Sequence, residues 1–489
     1  MDTIAPETQR EHPPSVPQSG RNCWRVERAD RVALLIDAAA YFEAVQAALK
    51  NAQRQILLIG WDFDTRICLD GPSASKSSTL GRFIRNLAKQ RPDLEIRILK
   101  WNLGALKVLA RGSMIFTVLN WIRHRRIKLK LDSAHPVGAS HHQKLIVIDD
   151  AFAFCGGIDM TSSRRDTPEH LDDDPRRKDP DGSIYEPWHD ITLAVDGAAA
   201  KALGQLARDR WEQATGKKLQ ARSAASDPWP RGLEPSFRNV SVAIARTRSE
   251  HNGCEEIREN ESLFVDMINS ARRFIYAENQ YFASRVIAEA IARRMQEEDP
   301  PEFVLVMPET ADGWLEQVAM DTARSKMMTM IAKADHKTRF RVYSPVTAAG
   351  KPIYVHAKLT IVDDAVIRVG SSNMNNRSLG LDSECDLCID ARLGDYDEVS
   401  AQISDIRLSL MAEHLGCAPD AVAAASDDYS LIAAIESLRG DGRSLRPVTP
   451  DEHSAAANFI AEEGTLDPGD EKAPDYEAMT RKRLRFRRR

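Results

Sequence analysis

Short apolar runs alternate with amphipathic stretches through most of this chain, and the first such unit is easily delimited. Residues 32–36 are consecutive apolar residues that predict a buried strand. Apolar positions at helical spacing predict a helix over 38–52, with Asp37 placed to cap its N-terminus. A second buried strand is predicted over 55–63. Strand, helix and strand in this order are typical of an α/β protein.

The same arrangement returns in the second half of the chain. A predicted helix over 261–271 leads into a predicted strand over 274–282. Two further pairs of predicted strands follow in the same order: 94–99 with 303–307, and 127–129 with 340–342. The chain therefore contains two copies of one α/β unit. We predict two pseudo-symmetric lobes, each a mainly parallel mixed sheet flanked by helices, with an active site between the lobes.

Composition sets the predicted boundaries of these lobes. Residues 1–22 are polar and proline-rich and predict a disordered tail, followed by the first lobe at 23–226. A proline-rich linker at 227–235 precedes the second lobe at 236–448, which ends with a closing helix. Residues 449–489 predict a second disordered tail with a basic end. That basic end is either solvated or a contact for anionic lipid headgroups.

Overall charge argues against a polyanion as the partner. The 489 residues include 72 acidic and 67 basic side chains, for a net charge of −5, so we expect no nucleic acid to bind. Seven cysteines lie at scattered positions with no disulfide-framework spacing, which favours a reducing compartment and hence the cytoplasm. The Cys385–Cys388 pair has no partner pair elsewhere, so we interpret it as core packing rather than a metal or redox site.

No apolar stretch has the length of a signal peptide core or a membrane span. The N-terminal residues lack an apolar segment, and no run of about 18 apolar residues occurs. We expect no transmembrane segment, and a lipid substrate would have to be reached from the water side, by peripheral contact. Export without a classical signal peptide stays open.

Two short motifs carry the chemistry. His142 and Lys144 are separated by one residue, with Asp149 following, and the pattern repeats at His356, Lys358 and Asp363. Each motif starts an apolar run and is followed by a small-residue turn. Because residues i and i+2 of a strand point to one face, each copy presents an imidazole beside an ammonium group.

Two such copies facing each other would form a phosphodiester site. The lysines would stabilise negative charge on the phosphoryl oxygens. One neutral imidazole could attack phosphorus, while the other, protonated, could protonate the departing alkoxide and later activate water or an alcohol. Because lysines and imidazolium supply the positive charge, we predict no metal and no cofactor.

A carboxylate commonly anchors the far nitrogen of a catalytic histidine. Asp190 and Glu384 each open an apolar strand downstream of one motif. We predict that Asp190 orients His142 and that Glu384 orients His356. Asp149 and Asp363 lie at the far ends of their strands, and we predict a structural role for both.

The paired motifs resemble the duplicated HKD motifs of the phospholipase D superfamily. The resemblance covers about residues 24–448 and implies two lobes around a pseudo-twofold axis, a phosphohistidine intermediate, and phosphatidyl transfer to water or an alcohol. It implies His142 as nucleophile and His356 as acid and base. It also implies phosphate contacts by four residues: Lys144, Lys358, Asn373 and, more weakly, Ser371.

The surrounding sequence is similar to the eukaryotic-like phospholipase D branch. The runs that carry this similarity are 141–144, 156–159, 165–170, 187–190, 278–282 and 375–378. One departure is that Gly157 and Asp159 stand where the second copy has Ser371 and Asn373. We therefore expect asymmetric substrate contacts, with Gly157 and Asp159 as weaker candidates. The long connection at 161–187 either borders the site or is a solvated insertion.

Three functions remain to be compared. The leading hypothesis is a phospholipase D that hydrolyses phosphatidylcholine-like glycerophospholipids to phosphatidic acid and transfers the phosphatidyl group to alcohols. A cardiolipin-synthase-like phosphatidyltransferase is second, and the missing N-terminal hydrophobic span argues against it. A nuclease of the same superfamily is third, because this chain is duplicated and mildly acidic.

Overall fold

The structure is a computed structural model that describes residues 13–71, 79–102, 114–224, 226–311, 314–426, 430–450 and 467. The predicted C-terminal tail lies almost entirely outside the described residues, as do the first twelve residues of the predicted N-terminal tail. The elements of the first half, in chain order, are β1 (Arg25–Ile36), α1 (Asp37–Asn51), β2 (Gln55–Gly60), α2 (Leu80–Gln90), β3 (Glu95–Trp101), α3 (Met114–Arg123), β4 (Ile127–Asp132), β5 (Leu145–Ile148), β6 (Phe152–Gly156), β7 (Trp188–His189), β8 (Ile191–Asp196) and α4 (Gly197–Thr215).

The second half repeats this order and adds a C-terminal group of helices. Its elements are β9 (Phe237–Arg248), β10 (Ile257–Arg258), α5 (Glu259–Ser270), β11 (Phe274–Asn279), α6 (Arg285–Met295), β12 (Glu302–Val306), α7 (Trp314–Ala334), β13 (Phe340–Val346), β14 (Tyr354–Val355), β15 (Lys358–Val362), β16 (Val366–Gly370), β17 (Glu384–Asp390), α8 (Tyr396–Leu415), α9 (Pro419–Ala425), α10 (Leu431–Leu438) and β18 (Ser444–Pro447). The α/β class is confirmed, and each strand pair predicted from the repeat is present.

The strands of both halves join into one mixed sheet. Its order is β18-β13-β12-β11-β15-β16-β17-β9-β1-β8-β6-β5-β2-β3-β4, and β10 pairs with β9. Outward from the central pair of β1 and β9, each half follows the same strand order. β16 and β17 also contact β6 and β8, so the sheet doubles back on itself and brings the halves face to face.

The predicted excess of parallel strands is wrong. Parallel pairing in this sheet is confined to β2 with β3, β3 with β4, β11 with β12 and β12 with β13. The reason lies in tight hairpins: Asp149 and Asp150 both have positive φ between β5 and β6, and Asp363 and Asp364 do the same between β15 and β16. Such turns reverse the chain after two or three residues, so adjacent strands run antiparallel.

Three apolar clusters fill the space around the sheet. One cluster lies between the halves and takes side chains from strands of both, together with α4 and α8. A second packs α1 and α2 against the first half, and a third packs α5 and α6 against the second half. The halves therefore share a core, and this core fixes the relative positions of the two motifs.

Residues 13–22 are not part of a disordered tail as predicted. The backbone N–H of Val16 donates to Asp390 (2.8 Å), and the side chain of Asn22 donates to Asp266 (2.6 Å). Both Val16 and Asn22 are buried. This segment packs on the second half because these contacts satisfy its polar groups, which composition alone does not reveal.

Asp37 does not cap α1 through its side chain as predicted. Its carboxylate makes no capping hydrogen bond, and the residue itself begins the helix with φ of 63°. Instead, its Oδ1 accepts a hydrogen bond from the backbone N–H of Asp190 (3.2 Å) and lies 3.2 Å from Nδ1 of His189. The carboxylate is turned inward, away from the helix N-terminus, because buried polar groups beside His189 hold it there.

Candidate active site

Each of the two motifs is hydrogen-bonded to the opposite half of the molecule. His142 stands shortly before β5, and its backbone N–H donates to the carbonyl of Ser383 (3.0 Å). His356 lies between β14 and β15, and its backbone N–H donates to the carbonyl of His189 (2.7 Å). The short parallel pairing of β7 with β14 strengthens the second link. These contacts bring both motifs to one place between the halves.

The carboxylates that orient the two histidines are exchanged relative to the prediction. Nδ1 of His142 lies 3.0 Å from both carboxylate oxygens of Glu384. Nδ1 of His356 lies 2.7 Å from Oδ2 of Asp190. The predicted pairs, Asp190 with His142 and Glu384 with His356, are therefore wrong. The physical reason is that each motif lies beside a strand of the other half. His142 lies beside the start of β17, and His356 lies beside the start of β8.

This anchoring determines which nitrogen faces the substrate. A carboxylate that accepts from Nδ1–H fixes the tautomer and leaves Nε2 for chemistry. Both His142 and His356 line a single cavity of about 310 Å³. The arrangement thus presents two imidazoles, each held from behind, to one bound group.

The two lysines have different surroundings. Lys144 donates to the carbonyl of His142 (3.1 Å) and forms an ion pair with Asp159 (3.3 Å). Lys358 likewise donates to the carbonyl of its own motif histidine, His356, but its other acceptor is the neutral side chain of Gln280 (3.2 Å). The copies therefore differ in that one lysine is partly neutralised by a carboxylate, and the expected asymmetry of substrate contacts stays a prediction.

Gly157 and Ser371, expected as substrate contacts, act on the carboxylates. A Cβ atom at Gly157 would come within 2.1 Å of Oδ1 of Asp190, so only glycine leaves room for that carboxylate. Ser371 donates its hydroxyl hydrogen to Glu384 (2.5 Å). Gly157 and Ser371 occupy equivalent positions in the two copies, and each supports the carboxylate of its own half. Gly157 does so by leaving space for Asp190, and Ser371 by a hydrogen bond to Glu384.

Asn373 and Asp159 both line the cavity. Oδ1 of Asn373 is buried and has no hydrogen-bond partner among the described residues. Asp159 accepts hydrogen bonds from the backbone N–H groups of Trp61 (3.1 Å) and Asp62 (3.3 Å). Asn373 remains a candidate for substrate contact, whereas Asp159 serves Lys144 and a neighbouring loop.

Asp149 and Asp363 hold backbone rather than substrate. Asp149 accepts from the N–H groups of residues 53, 54 and 55, at 2.7, 2.8 and 2.7 Å. Asp363 accepts from the N–H groups of residues 272, 273 and 274, at 2.7, 2.8 and 2.8 Å. Asp149 thus holds the start of β2, which pairs with β5, and Asp363 holds the start of β11, which pairs with β15.

Burial makes the neutral form of both imidazoles favourable. It lowers the pKa of His142 well below the ordinary value, and the charges of Lys144 and Lys358 lower this pKa further. Burial likewise lowers the pKa of His356, with Lys358 and Arg164 adding to the effect. A neutral imidazole has the free lone pair that a nucleophile needs.

The same burial brings the supporting groups close to neutral pH. It lowers the pKa of Lys358 to about 7, although Asp190 opposes the change. It raises the pKa of Asp190 to about 7 and that of Glu384 to about 8. Protons can therefore be exchanged within the site at neutral pH, as acid–base chemistry requires.

Sequence comparison gives the family of this chain. A sequence profile described as phospholipase D matches residues 48–343 and 285–438. The chain belongs to the phospholipase D superfamily. Among its relatives, phospholipase D A of Dictyostelium discoideum is 25% identical over 79% of this chain and 36% of its own length. Phospholipase D alpha 1 of Brassica oleracea var. capitata is 24% identical over 89% of this chain and 72% of its own length.

Other relatives in the superfamily are also much longer. Phospholipase D1 of Saccharomyces cerevisiae is 24% identical over 79% of this chain, which covers 29% of that protein. The chain thus spans about a third of the length of its slime mould and yeast relatives. Among solved structures, phosphatidylserine synthase of Haemophilus influenzae Rd KW20 shares the fold, with a TM-score of 0.51, 13% identity and coverage of 78% of this chain and 86% of that one.

Sequence reasoning missed several residues that surround the site of this phospholipase D superfamily member. Apart from the motif residues, the cavity wall includes Trp61, Trp101, Ser140, Arg164, Trp188, Gln280, Tyr281, Met320, Asn375, Arg377, Ser378 and Asp382. Arg164 stacks over the ring of Trp188 at 3.9 Å, and Trp61 stacks on Trp101. Arg164 belongs to the long connection at 161–187, so that connection borders the site. The sequence contained a signal for this, because the run 165–170 lies within the connection and the run 187–190 begins where it ends.

Groups of metal-binding side chains occur elsewhere. In the described ranges, the His, Cys, Asp and Glu side chains close enough to share an ion are those around His189. Lys144 and Lys358 lie beside the two motif histidines. The expectation of metal-free catalysis stays a prediction.

Proposed function

We propose that this chain is a phospholipase D that hydrolyses phosphatidylcholine-like glycerophospholipids to phosphatidic acid and a free headgroup. In the presence of an alcohol, it transfers the phosphatidyl group to that alcohol. The observation that carries the proposal is the pair of histidines, His142 and His356, lining one cavity with carboxylates behind them. The superfamily membership supports the same chemistry.

In the first step, Nε2 of His142 attacks phosphorus. A nitrogen–phosphorus bond forms, and the bond between phosphorus and the headgroup oxygen breaks. His356 donates its Nε2 proton to that departing oxygen. The negative phosphodiester favours the protonated form of His356, offsetting the lowering of its pKa by burial.

In the second step, His356 takes a proton from water or an alcohol. The oxygen of that acceptor attacks phosphorus, and the nitrogen–phosphorus bond breaks. Phosphatidic acid or a phosphatidyl alcohol leaves, and both histidines return to their starting forms. Lys144, Lys358 and the amide of Asn373 stabilise the phosphoryl oxygens during both displacements.

The walls of the cavity support an amphiphilic phosphodiester as substrate. Aromatic side chains of Trp61, Trp101, Trp188 and Tyr281 line the cavity together with two cations, Arg164 and Arg377. Aromatic faces attract quaternary ammonium groups such as choline, and the guanidinium groups suit phosphate oxygens. These features suit the headgroup of a zwitterionic phospholipid.

We expect the protein to reach lipid from the aqueous side of a membrane surface. Among the described residues, no helix is both long and apolar enough to cross a bilayer. Val137 and Ile184 are large exposed apolar side chains, at 71% and 63% exposure, and can enter the headgroup region. Lipid extraction into the cavity would follow this peripheral contact.

The decisive experiment offers phosphatidylcholine, phosphatidylglycerol and single-stranded DNA to the full chain, each with and without ethanol. We expect choline release from phosphatidylcholine and phosphatidylethanol formation when ethanol is present. Cardiolipin made from phosphatidylglycerol, without choline release, would favour the phosphatidyltransferase. Cleavage of DNA alone would exclude a lipid substrate.

A matched pair of variants shows whether phosphatidylethanol formation comes from this protein or from a contaminating enzyme. His142→Ala removes the proposed nucleophile, whereas His251→Ala removes a histidine distant from the cavity lining. We expect the first variant to lose phosphatidylethanol formation and the second to keep it. Equal activity in both would contradict the proposed site.

A further inference from the structure

A second cluster of buried histidines and carboxylates lies next to His356. Asp37, His170 and His189 come from the first half, and Glu413 comes from α8 in the second half. The side chains of the first three are 0% exposed, and that of Glu413 is 5% exposed. His170 and His189 belong to the runs 165–170 and 187–190, and the proposed chemistry gives neither histidine a role.

The four side chains converge on one point. Nδ1 of His189 lies 2.9 Å from Oε1 of Glu413 and 3.2 Å from Oδ1 of Asp37. Nε2 of His170 lies 3.1 Å from Oε1 of Glu413 and 3.6 Å from Oδ2 of Asp37. Ligand atoms about 2.0–2.2 Å from a tetrahedral zinc ion are separated by about 3.3 Å. Both nitrogens lie near this distance from Oε1 of Glu413, and each faces a different carboxylate oxygen of Asp37. With one ligand atom taken from each side chain, the four atoms lie within 4.8 Å of one another.

Two of these inward-facing atoms lack hydrogen bonds. In the described part of the chain, Oδ2 of Asp37 and Nδ1 of His189 have no hydrogen-bond partner despite being fully buried. Nδ1 of His189 is close to two carboxylates, yet neither contact has hydrogen-bond geometry. Buried polar atoms without partners are costly, and a shared cation would satisfy both.

The outer nitrogens of both histidines are held as metal ligands require. Nε2 of His189 lies 2.7 Å from Oε2 of Glu278, and Nδ1 of His170 lies 2.9 Å from Oδ2 of Asp166. A carboxylate that accepts from the outer N–H directs the lone pair of the other nitrogen toward the ion. In the neutral imidazoles that bind a metal, those lone pairs would be on the nitrogens that face Asp37 and Glu413; in the absence of an ion, Nε2 of His170 donates a hydrogen bond to Oε1 of Glu413 (3.1 Å).

We propose that Asp37, His170, His189 and Glu413 bind one divalent transition-metal ion, for which zinc is the best match. Two imidazole nitrogens with two carboxylate oxygens suit zinc and its neighbours, whereas calcium and magnesium prefer oxygen ligands alone. The four ligands fill a tetrahedral shell from protein, so the site is structural. The turned-in carboxylate of Asp37, with its positive φ, is explained as a metal ligand.

The ion would position the acid–base histidine without touching substrate. His189 precedes Asp190, which orients His356, and the carbonyl of His189 accepts from the backbone N–H of His356. Fixing the imidazole of His189 therefore fixes the strand that supports His356. Because Glu413 belongs to the other half, the ion also joins the halves beside the active site.

The test is the metal content of the full chain, purified without a polyhistidine tag. We expect about one zinc, manganese, iron or cobalt ion per chain. Exhaustive dialysis against a chelator should lower Tm, and Co²⁺ added afterwards should restore it and give the visible absorption of a tetrahedral site. Below about 0.1 ion per chain, with no rise in Tm on adding Zn²⁺ or Co²⁺, the proposal is overturned. Stoichiometric calcium or magnesium would also overturn it.

Two variants identify the ligands. His170→Gln should lose the ion, whereas His414→Gln should keep it, because His414 contacts Glu278 from outside the four-ligand shell. One ion per chain retained by His170→Gln would refute the assignment. If His170→Gln does not fold, the content and Co²⁺ spectrum of the unaltered protein still decide. Neither readout uses a lipid, so both are independent of the proposed activity.

Discussion

Nδ1 of His142 lies 3.0 Å from both carboxylate oxygens of Glu384, which belongs to the other half of the chain. His356 is held in the same manner by Asp190, 2.7 Å away. Each histidine of this phospholipase D superfamily member thus depends on the partner half for its orientation. Replacing one carboxylate should affect the histidine of the opposite motif.

This exchange can be tested by NMR titration of the two imidazoles. Glu384→Gln should change the pKa of His142 and leave that of His356 nearly unchanged, because only His142 faces Glu384. Asp190→Asn should do the reverse. Both variants should lose about 10- to 100-fold in kcat. Shifts in the histidine of the same motif, instead of the opposite one, would contradict the crossed arrangement.

The two histidines should fail in different ways. His142→Ala should form no phospho-enzyme with any substrate, because it lacks the attacking nitrogen. His356→Ala should be inactive on phosphatidylcholine yet form a trapped phospho-enzyme from a p-nitrophenyl phosphodiester, whose leaving group needs no proton. Rapid-quench labelling measures the difference. A phospho-enzyme in His142→Ala would assign the nucleophile to His356.

The pH profile should reflect Lys358, whose pKa burial lowers to about 7. We expect kcat/KM to fall above pH 7, since a neutral amine stabilises the phosphoryl oxygens poorly. A bound anion raises the pKa of Lys358, so the fall in kcat should occur at higher pH. Lys358→Gln should be nearly inactive, and its residual activity should not fall above pH 7. Lys351→Gln, at a lysine outside the cavity lining, should keep the pH profile of the unaltered protein.

The contribution of Lys358 to the free energy of unfolding should rise with pH above pH 7, where kcat/KM is expected to fall. The pKa of Lys358 is about 7 in the folded state, against 10.5 for an ordinary lysine, so the folded state binds fewer protons between these two values. Its contribution to stability therefore rises with pH there, by at most about 1.4 kcal/mol per pH unit. Denaturant unfolding of the unaltered protein and Lys358→Gln at pH 8 to 10 measures the difference. A contribution that falls with pH would contradict the lowered pKa.

Gly157 should tolerate no side chain. Because an added Cβ would lie 2.1 Å from Oδ1 of Asp190, Gly157→Ala should displace that carboxylate from His356. We expect kcat to fall about 10- to 100-fold, as when a supporting carboxylate is removed. Gly440→Ala is the control, since nothing lies within 4 Å of its added Cβ. Full activity in Gly157→Ala would show that Asp190 does not need its present position.

Asp149 should matter for folding more than for chemistry. Asp149→Ala removes the acceptor of three backbone hydrogen bonds at residues 53–55 and should cost about 2–4 kcal/mol of unfolding free energy. Asp173→Ala, at a side chain that is 84% exposed, should cost almost nothing. Activity per folded molecule should stay within about twofold in both. A loss of kcat without a loss of stability would give Asp149 a catalytic role.

The sequence predicted the local structure and the identity of the chemical groups. The strands at Gln55–Gly60 and Phe274–Asn279 and the helix at Glu259–Ser270 occur where the apolar pattern placed them. The repeated histidine and lysine, with the surrounding runs, also led to the superfamily. These features depend on residues near each other in the chain, which a pattern can detect.

Long-range partners could not be predicted in this way. The sequence predicts Glu384 and Asp190 as the supporting carboxylates but assigns each to the wrong histidine, because a repeat does not reveal which copy lies beside which strand. The inward turn of Asp37 was missed for a similar reason: its neighbours, His189 and Glu413, are distant in sequence. Aspartate is a good N-cap residue, but the side chain of Asp37 makes buried tertiary contacts and does not cap α1.

The crossed anchoring of the motifs has a consequence for how such a protein could arise. A single copy of the repeat would carry its histidine without the carboxylate that holds it, so one copy alone makes no complete site. A protein with one such repeat would need two chains to complete the site. Within one chain the two copies can differ, as at Asp159 and Asn373, which in an assembly of identical chains would be the same residue.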